Sequence, residues 1–450
     1  MKRRCIIFLV ILLSGIYSLA GQEQKWTLSD CISYAISNNI TLKRQELTTE
    51  SYRADLARAK MSMLPSLNVG SDARVGFGRS IDPVTNLITF KQNLSNSYAL
   101  SSSLDLFNGF TTLNTIAANK FMLKAGIETE KVTRNTLILS IMSQYYQVLY
   151  TKGLENASKM QVDLSEQQLY RIEKMVETGK EAVSRKFEME SQVSADRLAY
   201  TVAMNNNSKA LTELRQMLHL DTSQEFDIVM PDLEGMILTD MSVNTDSIYN
   251  IASQVLPRLK AIEYEVRANE KQLAAAKGFI SPSLTIGGTV YTGFYKVISE
   301  DAEEQISFAS QLKNNNSQAI YFSLNIPLFN KYTTARNIKL ARLRESDTRL
   351  KLELERYNLY SEIENACLDF RRGKDEFLAA EANMVFNRKS FYTVEKKFES
   401  GLVDVTDYAA AKATLFAAET EALRTRLQLM IRQLMIRFYT TGEYENIINN

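Results

Sequence analysis

The stretch LFNKYTTARNIKLARLRESDTRLKLELERYNLYSEIENACLDFRRGKDEFLAAEANMVFNRKSFYTVEKKFESG, running from Leu328 to Gly401, decides how the whole chain is read. No proline interrupts Tyr332 to Glu399, and a helix over that run would extend roughly 100 Å at the usual rise per residue. A rod of that length must lie along others to bury anything. The same layout stands earlier: Leu106-Phe107-Asn108-Gly109 opens a second proline-free run that closes at Thr178-Gly179, and in both copies the closing glycine lies 73 positions after the leucine. Equal spacing marks an internal duplication.

The duplication reaches upstream. Shifted by 217, Leu42, Leu56, Ala57, Ala59, Lys60, Pro65, Ser66 and Leu67 fall on Leu259, Leu273, Ala274, Ala276, Lys277, Pro282, Ser283 and Leu284. Beyond Leu328 the shift is 222, so the second copy carries five extra residues between its strands. A hairpin loop absorbs such an insertion. The polar stretch with Glu300, Asp301, Glu303 and Glu304 is where it is expected.

Two repeats are therefore predicted. Residues 21–243 read as a helix (28–64), a β-hairpin (67–107), a long helix (110–177), a return helix (184–219) and an irregular equatorial segment (220–243); residues 244–450 read as a helix (246–279), a β-hairpin (284–328), a long helix (332–399) and a return helix (406–439). Thr27 with Asp30 three positions on forms a capping-box pattern. Pro65 ends the first helix, after which Leu67, Val69, Ala73 and Val75 alternate with polar residues at strand period. Gly179 and Gly401 close the long helices as C-cap glycines, with Ser184 and Thr406 as expected N-caps of the return helices. Each return helix and the helix after the equatorial segment are about half a long rod, so two stacked short helices match one long one.

Composition narrows the function. Six prolines and 17 glycines in 450 residues leave little to divide the chain, and a net charge of +1 without a basic or acidic block argues against nucleic acid. Lys2-Arg3-Arg4, the apolar run Ile6 to Leu13 and Ser18-Leu19-Ala20 have the form of a secretory signal peptide over residues 1–20. Cys5 belongs to that segment, and Cys31 and Cys367 read as buried packing residues. His219 is the one histidine and stands at a helix end, with no metal-ligand cluster around it. No nucleophile–base set and no phosphate-binding glycine loop is present, so neither an enzyme nor a cofactor is expected.

The strands demand partners. Four strands with an apolar outer face are too few for a membrane barrel, whose smallest examples have about eight, whereas three chains supply twelve. Pro65, Pro282 and Pro327 fall where helix and strand meet, and Phe77, Phe107, Phe294, Phe322 and Phe329 suit interfacial aromatic belts. The competing reading is a periplasmic coiled-coil structural protein without channel activity. Two amphipathic hairpins at equivalent places argue against it.

The Trp26-Thr27-Leu28 opening with Ala35, the doubled Pro-Ser-Leu at 65 and 282, the doubled Leu-Phe-Asn at 106 and 328, and a glycine at each helical tip resemble the TolC family of outer-membrane efflux and secretion ducts. Gly78-Arg79-Ser80-Ile81-Asp82-Pro83 is similar to members from Bacteroidetes-type bacteria. The resemblance implies a mainly α fold with membrane β, in which a homotrimer shares a 12-stranded β-barrel in outer-membrane lipid and an α-barrel tunnel across the periplasm. It further implies a periplasmic adaptor protein and an inner-membrane transporter as partners. Adaptor docking is then expected at the tips, on Thr178, Gly179, Lys180, Ser400, Gly401, Leu402 and Val403. An entrance latch is expected between Arg185 and the carboxylates Asp404 and Asp407, because a cation in a first helical turn calls for an anionic partner.

Overall fold

The computed structural model describes residues 25–81, 86–221, 226–231, 243–298 and 306–442. The signal-peptide segment, the turn at Asp82-Pro83, the acidic loop 300–304 and most of the equatorial segment lie outside the described residues. Helices α1 (Leu28–Asn38) and α2 (Ile40–Met61) open the chain, followed by strands β1 (Ser66–Gly76), β2 (Ser80–Ile81), β3 (Ile88–Thr89) and β4 (Gln92–Phe107). Helices α3 (Thr111–Glu177), α4 (Val183–Met217), α5 (Thr245–Val255) and α6 (Pro257–Gly278) come next. Strand β5 (Ser283–Ile298), helix α7 (Phe308–Asn314), strand β6 (Ser317–Asn325) and helices α8 (Thr333–Glu399) and α9 (Val405–Thr441) complete it. The two long rods, α3 and α8, are each 67 residues.

Two single helices expected from the sequence are in fact pairs. The span 28–64 divides at Asn39, whose ψ of 124° leaves the helical region. Its Oδ1 accepts from the backbone N–H groups of Thr41 (2.9 Å) and Leu42 (3.2 Å), so Asn39 stops one helix and caps the next. The span 246–279 divides at Leu256, ψ 126°, because Pro257 bars the helical conformation in the residue before it and then serves as the first residue of α6. Asn39 and Leu256 are 217 positions apart, so the kink is duplicated although the residues that make it differ. The Thr27–Asp30 capping box is present in both directions.

The contact pattern divides the chain into two units. The first comprises 1–46, 129–259 and 355–450. Its main core gathers Cys31, Ile32 and Ala35 of α1, Ile138 to Leu149 of α3, Leu214 of α4, and Leu427 and Met430 of α9. Residue 228 of the equatorial segment bridges Trp26 as a short parallel pair, and Tyr145 donates its hydroxyl to the Val229 carbonyl at 3.0 Å. Cys31 and Cys367 are both free and wholly buried. His219 takes φ +56° just past α4, with the next amide, of Leu220, bonded back to the Arg215 carbonyl: a left-handed helix stop.

The second unit comprises 47–128 and 260–354. Its four main strands form one antiparallel sheet in the order β1-β4-β5-β6, which leaves β1 and β6 as edges. Ser66 faces Ser103 in the first hairpin and Ser283 faces Asn325 in the second. These are equivalent pairs under the shifts of 217 and 222, so the two hairpins share one register. Leu67, Val69, Ile320, Phe322 and Leu324 stand exposed on one face, an apolar surface that this chain does not itself cover. The five extra residues of the second hairpin fall in the connection that carries α7, where Gln311 holds the Tyr295 backbone from both sides (2.9 Å each). Among the described residues no helix is long and apolar enough to cross a membrane.

Candidate functional site

The two turns that end the long helices are built alike. Gly179 has φ +71° and Gly401 φ +72°. The Lys180 amide bonds to the Met175 carbonyl (2.8 Å) and that of Gly179 to Val176 (3.0 Å); Leu402 and Gly401 repeat this on Lys397 (2.9 Å) and Phe398 (3.0 Å). Each is a Schellman stop, which satisfies the last carbonyls of its helix and needs a residue free of the Cβ penalty. A Cβ at either glycine would meet nothing within 4 Å, so backbone conformation, not space, requires glycine there.

The return helices start differently from expectation. Ala182, not Ser184, occupies the N-cap of α4 and makes no side-chain cap bond. In α9 the cap is Asp404, not Thr406: its Oδ1 accepts from the Asp407 amide at 2.8 Å. Asp404 is thereby committed to its own helix, and Asp407 lies in the first turn, where the helix dipole favours a carboxylate.

Arg185 finds its anion close by. Nη1 lies 2.6 Å from Glu181, and Nη2 donates to the Val403 carbonyl at 3.0 Å. Within one chain, then, Arg185 pairs with Glu181 in place of the expected Asp404 and Asp407. It still ties one tip turn to the other, through backbone. A second tie runs from Arg171 to the carboxylate and carbonyl of Glu399 (3.4 and 3.2 Å). Hydrogen bonding from Lys396, with help from Arg171, holds the Glu399 carboxyl below the usual range. Pro65, Pro282 and Pro327 stand immediately before β1, immediately before β5 and just after β6, at the strand ends where a missing N–H is tolerated.

Beneath the turns the helices are locked by packing. Tyr408 is fully buried, stacked on Phe398 with centroids 4.4 Å apart, amid Ile172, Met189, Val193 and Leu415. One turn further along α9, Lys412 is only 2% exposed. Its ammonium lies 2.7 Å from Asp196 of α4, 2.7 Å from the Gln161 carbonyl of α3, and in contact with Ser165 Oγ. Burial pushes the Lys412 ammonium below its ordinary pKa, while Asp196 opposes that shift. Sequence reasoning passed over this group. Its signal was Val405, Tyr408, Lys412 and Leu415 at three- and four-residue steps, which puts a lysine on the core stripe of α9.

The tips thus offer no group arranged for covalent chemistry, and no set of His, Cys, Asp or Glu that could hold a metal occurs among the described residues. They offer two exposed turns on a rigid support. The chain is 21% identical over 425 residues to the toluene efflux pump outer membrane protein TtgF of Pseudomonas putida, covering 93% of this chain and 84% of that one. It is 19% identical over 416 residues to the cation efflux system protein CusC of Escherichia coli O157:H7, covering 90% and 84%. Its fold superposes on the crystal structure of CusC with a TM-score of 0.76 at 16% identity over 95% of both chains. On VceC of Vibrio cholerae the TM-score is 0.76 at 12% identity, over 93% and 96%. Residues 31–218 and 248–442 both match the model of the outer membrane efflux protein family, and the chain belongs to that family as an outer-membrane efflux channel.

Proposed function

We propose that three copies of this chain form a passive exit duct, which receives cargo from an inner-membrane transporter through a periplasmic adaptor docked at the helical tips. The sheet carries the reading. Four strands cannot close, and β1 and β6 present free edges. The internal duplication specifies how a neighbour would fill them. Leu100 of β4 faces Val290 of β5. Moving Leu100 forward by 222 and Val290 back by 217 sets Phe322 of one copy opposite Ala73 of the next, and likewise Ile320 opposite Val75. Apolar residues then meet on the apolar face, whereas a slip by one would set Phe322 against Asp72 or Arg74. The helices support the same geometry. Phe121 stacks on Tyr264 within the chain at 6.4 Å. The equivalent positions, Leu343 and Leu47, are 56% and 70% exposed and await each other across the joint.

Cysteines placed at Phe322 and Ala73 would stand opposite one another in a strand pair, within disulfide reach. Phe322→Cys/Ala73→Cys is expected to give cross-linked dimers and trimers on oxidation, and Phe322→Cys/Asp72→Cys is not. Absence of any cross-link in the first variant would refute this register. A channel that purifies as a monomer would refute the assembly as well. The tip turns, Thr178 to Lys180 and Ser400 to Val403, are the proposed adaptor surface, with exposed Leu402 as its apolar anchor. Asp404 and Asp407, repeated in each copy, are proposed to ring the entrance, where carboxylates favour cations.

A further inference from the structure

We propose that a cationic collar at the foot of the sheet binds the anionic headgroups of glycerophospholipids in the leaflet that faces the periplasm. The proposal rests on the outer-membrane reading and goes beyond it to name a lipid partner. The near-zero net charge conceals a local asymmetry. Lys331 to Arg344, KYTTARNIKLARLR, holds five cations and no acid, over the first turns of the helix that leaves β6. Lys331, Arg336, Lys339, Arg342 and Arg344 are all exposed, and among the described residues none has an ion-pair partner. Pairing begins only beyond this segment, where Arg349 meets Glu270 at 2.7 Å and Lys351 meets Glu265 at 2.8 Å.

Two further observations point to a membrane surface rather than to a solvated charge run. First, Lys331 precedes the helix and Arg336 lies in its first turn, where the helix dipole disfavours a cation unless an external anion sits beside it. Second, the residues between strand and helix are bare aromatics: Phe329 is 86% and Tyr332 63% exposed, and the equivalent positions in the first repeat are Phe107 and Phe110. An aromatic belt followed at once by Lys and Arg is the order in which side chains meet the edge of a bilayer. Under the shift of 222, Arg342 corresponds to Lys120, which stays exposed although α3 is bonded to α2 through Asn119 and packed on α6 through Phe121, so a neighbouring copy packed in the same way leaves that cation accessible.

The test reconstitutes the full-length channel in vesicles of phosphatidylethanolamine with and without phosphatidylglycerol, and measures by mass spectrometry which lipids remain bound. The wild type is expected to retain phosphatidylglycerol several-fold over its bulk fraction, with the preference falling as salt screens the headgroups. Arg336→Gln/Lys339→Gln/Arg342→Gln is expected to lose that preference while still forming trimers. Equal retention in both proteins would overturn the proposal. So would a changed ion selectivity of single channels with unchanged bound lipid, since the cations would then line the bore. Insertion of the wild type without lipid preference removes this inference alone; failure to enter either bilayer removes the outer-membrane reading with it.

Discussion

Replacing Lys412 by Met tests whether the buried ion pair beneath the tips holds the three helices together. The change keeps the length of the side chain and removes its charge, leaving the Asp196 carboxylate, itself 15% exposed, without its cation. Breaking one side of a buried pair costs about 3–5 kcal/mol. Asp196 keeps hydrogen bonds from Gln192 (3.0 Å) and Ser165, so the lower end, about 3 kcal/mol, applies here. Asp196→Leu strands the ammonium instead and should cost a similar amount. In the double variant the apolar pair fills the site, and stability should return to within about 1 kcal/mol of wild type, a coupling that independent sites would not show. Thermal unfolding of the purified channel, followed by circular dichroism for all four proteins, reads the cycle. Two small single effects, or a double variant equal to their sum, would show that Lys412 and Asp196 do not act as a pair.

Gly401→Ala and Leu402→Glu separate backbone from surface at the docking turn. Alanine meets no neighbour but must hold a positive φ, at about 1–2 kcal/mol of local strain, so efflux should fall modestly. A glutamate at Leu402 leaves the fold untouched and should abolish efflux in a drug-susceptibility assay while trimers persist; retained efflux would exclude docking at this turn. The contacts that Glu399 makes with Lys396 and, more weakly, with Arg171 are pH-dependent with a definite sign. The Glu399 carboxyl is depressed in the folded chain, so its contribution is complete above the unfolded value of 4.5 and is lost as the pH falls below that. Single-channel conductance should therefore change on acidification by more in the wild type than in Glu399→Gln; an equal change in both would refute the role of this carboxylate.

The duplication, the two long rods, both tip glycines and the proline joints were legible in the chain, because each depends on local rules: a proline-free run, a positive φ that only glycine adopts cheaply, an alternation of period two. Residue equivalence alone also determined the offsets of 217 and 222, from which the strand register follows once one hairpin is seen. Caps and kinks were less legible. Asn39 reads as one polar residue within a helical run, and only the backbone shows that its carboxamide terminates one helix and starts another. Tertiary structure decided the partners. Arg185 was recognisable as a cation in need of an anion, but Glu181 stands four residues before it while Asp404 and Asp407 belong to the turn of the other repeat, and the packing of the two turns selected Glu181 along with the Val403 carbonyl. Lys412 shows the same limit more sharply. Its place on the apolar stripe of α9 follows from periodicity, yet Asp196 and Ser165 lie more than 200 residues away along the chain. Nothing local chooses them, and only burial makes the pair obligatory.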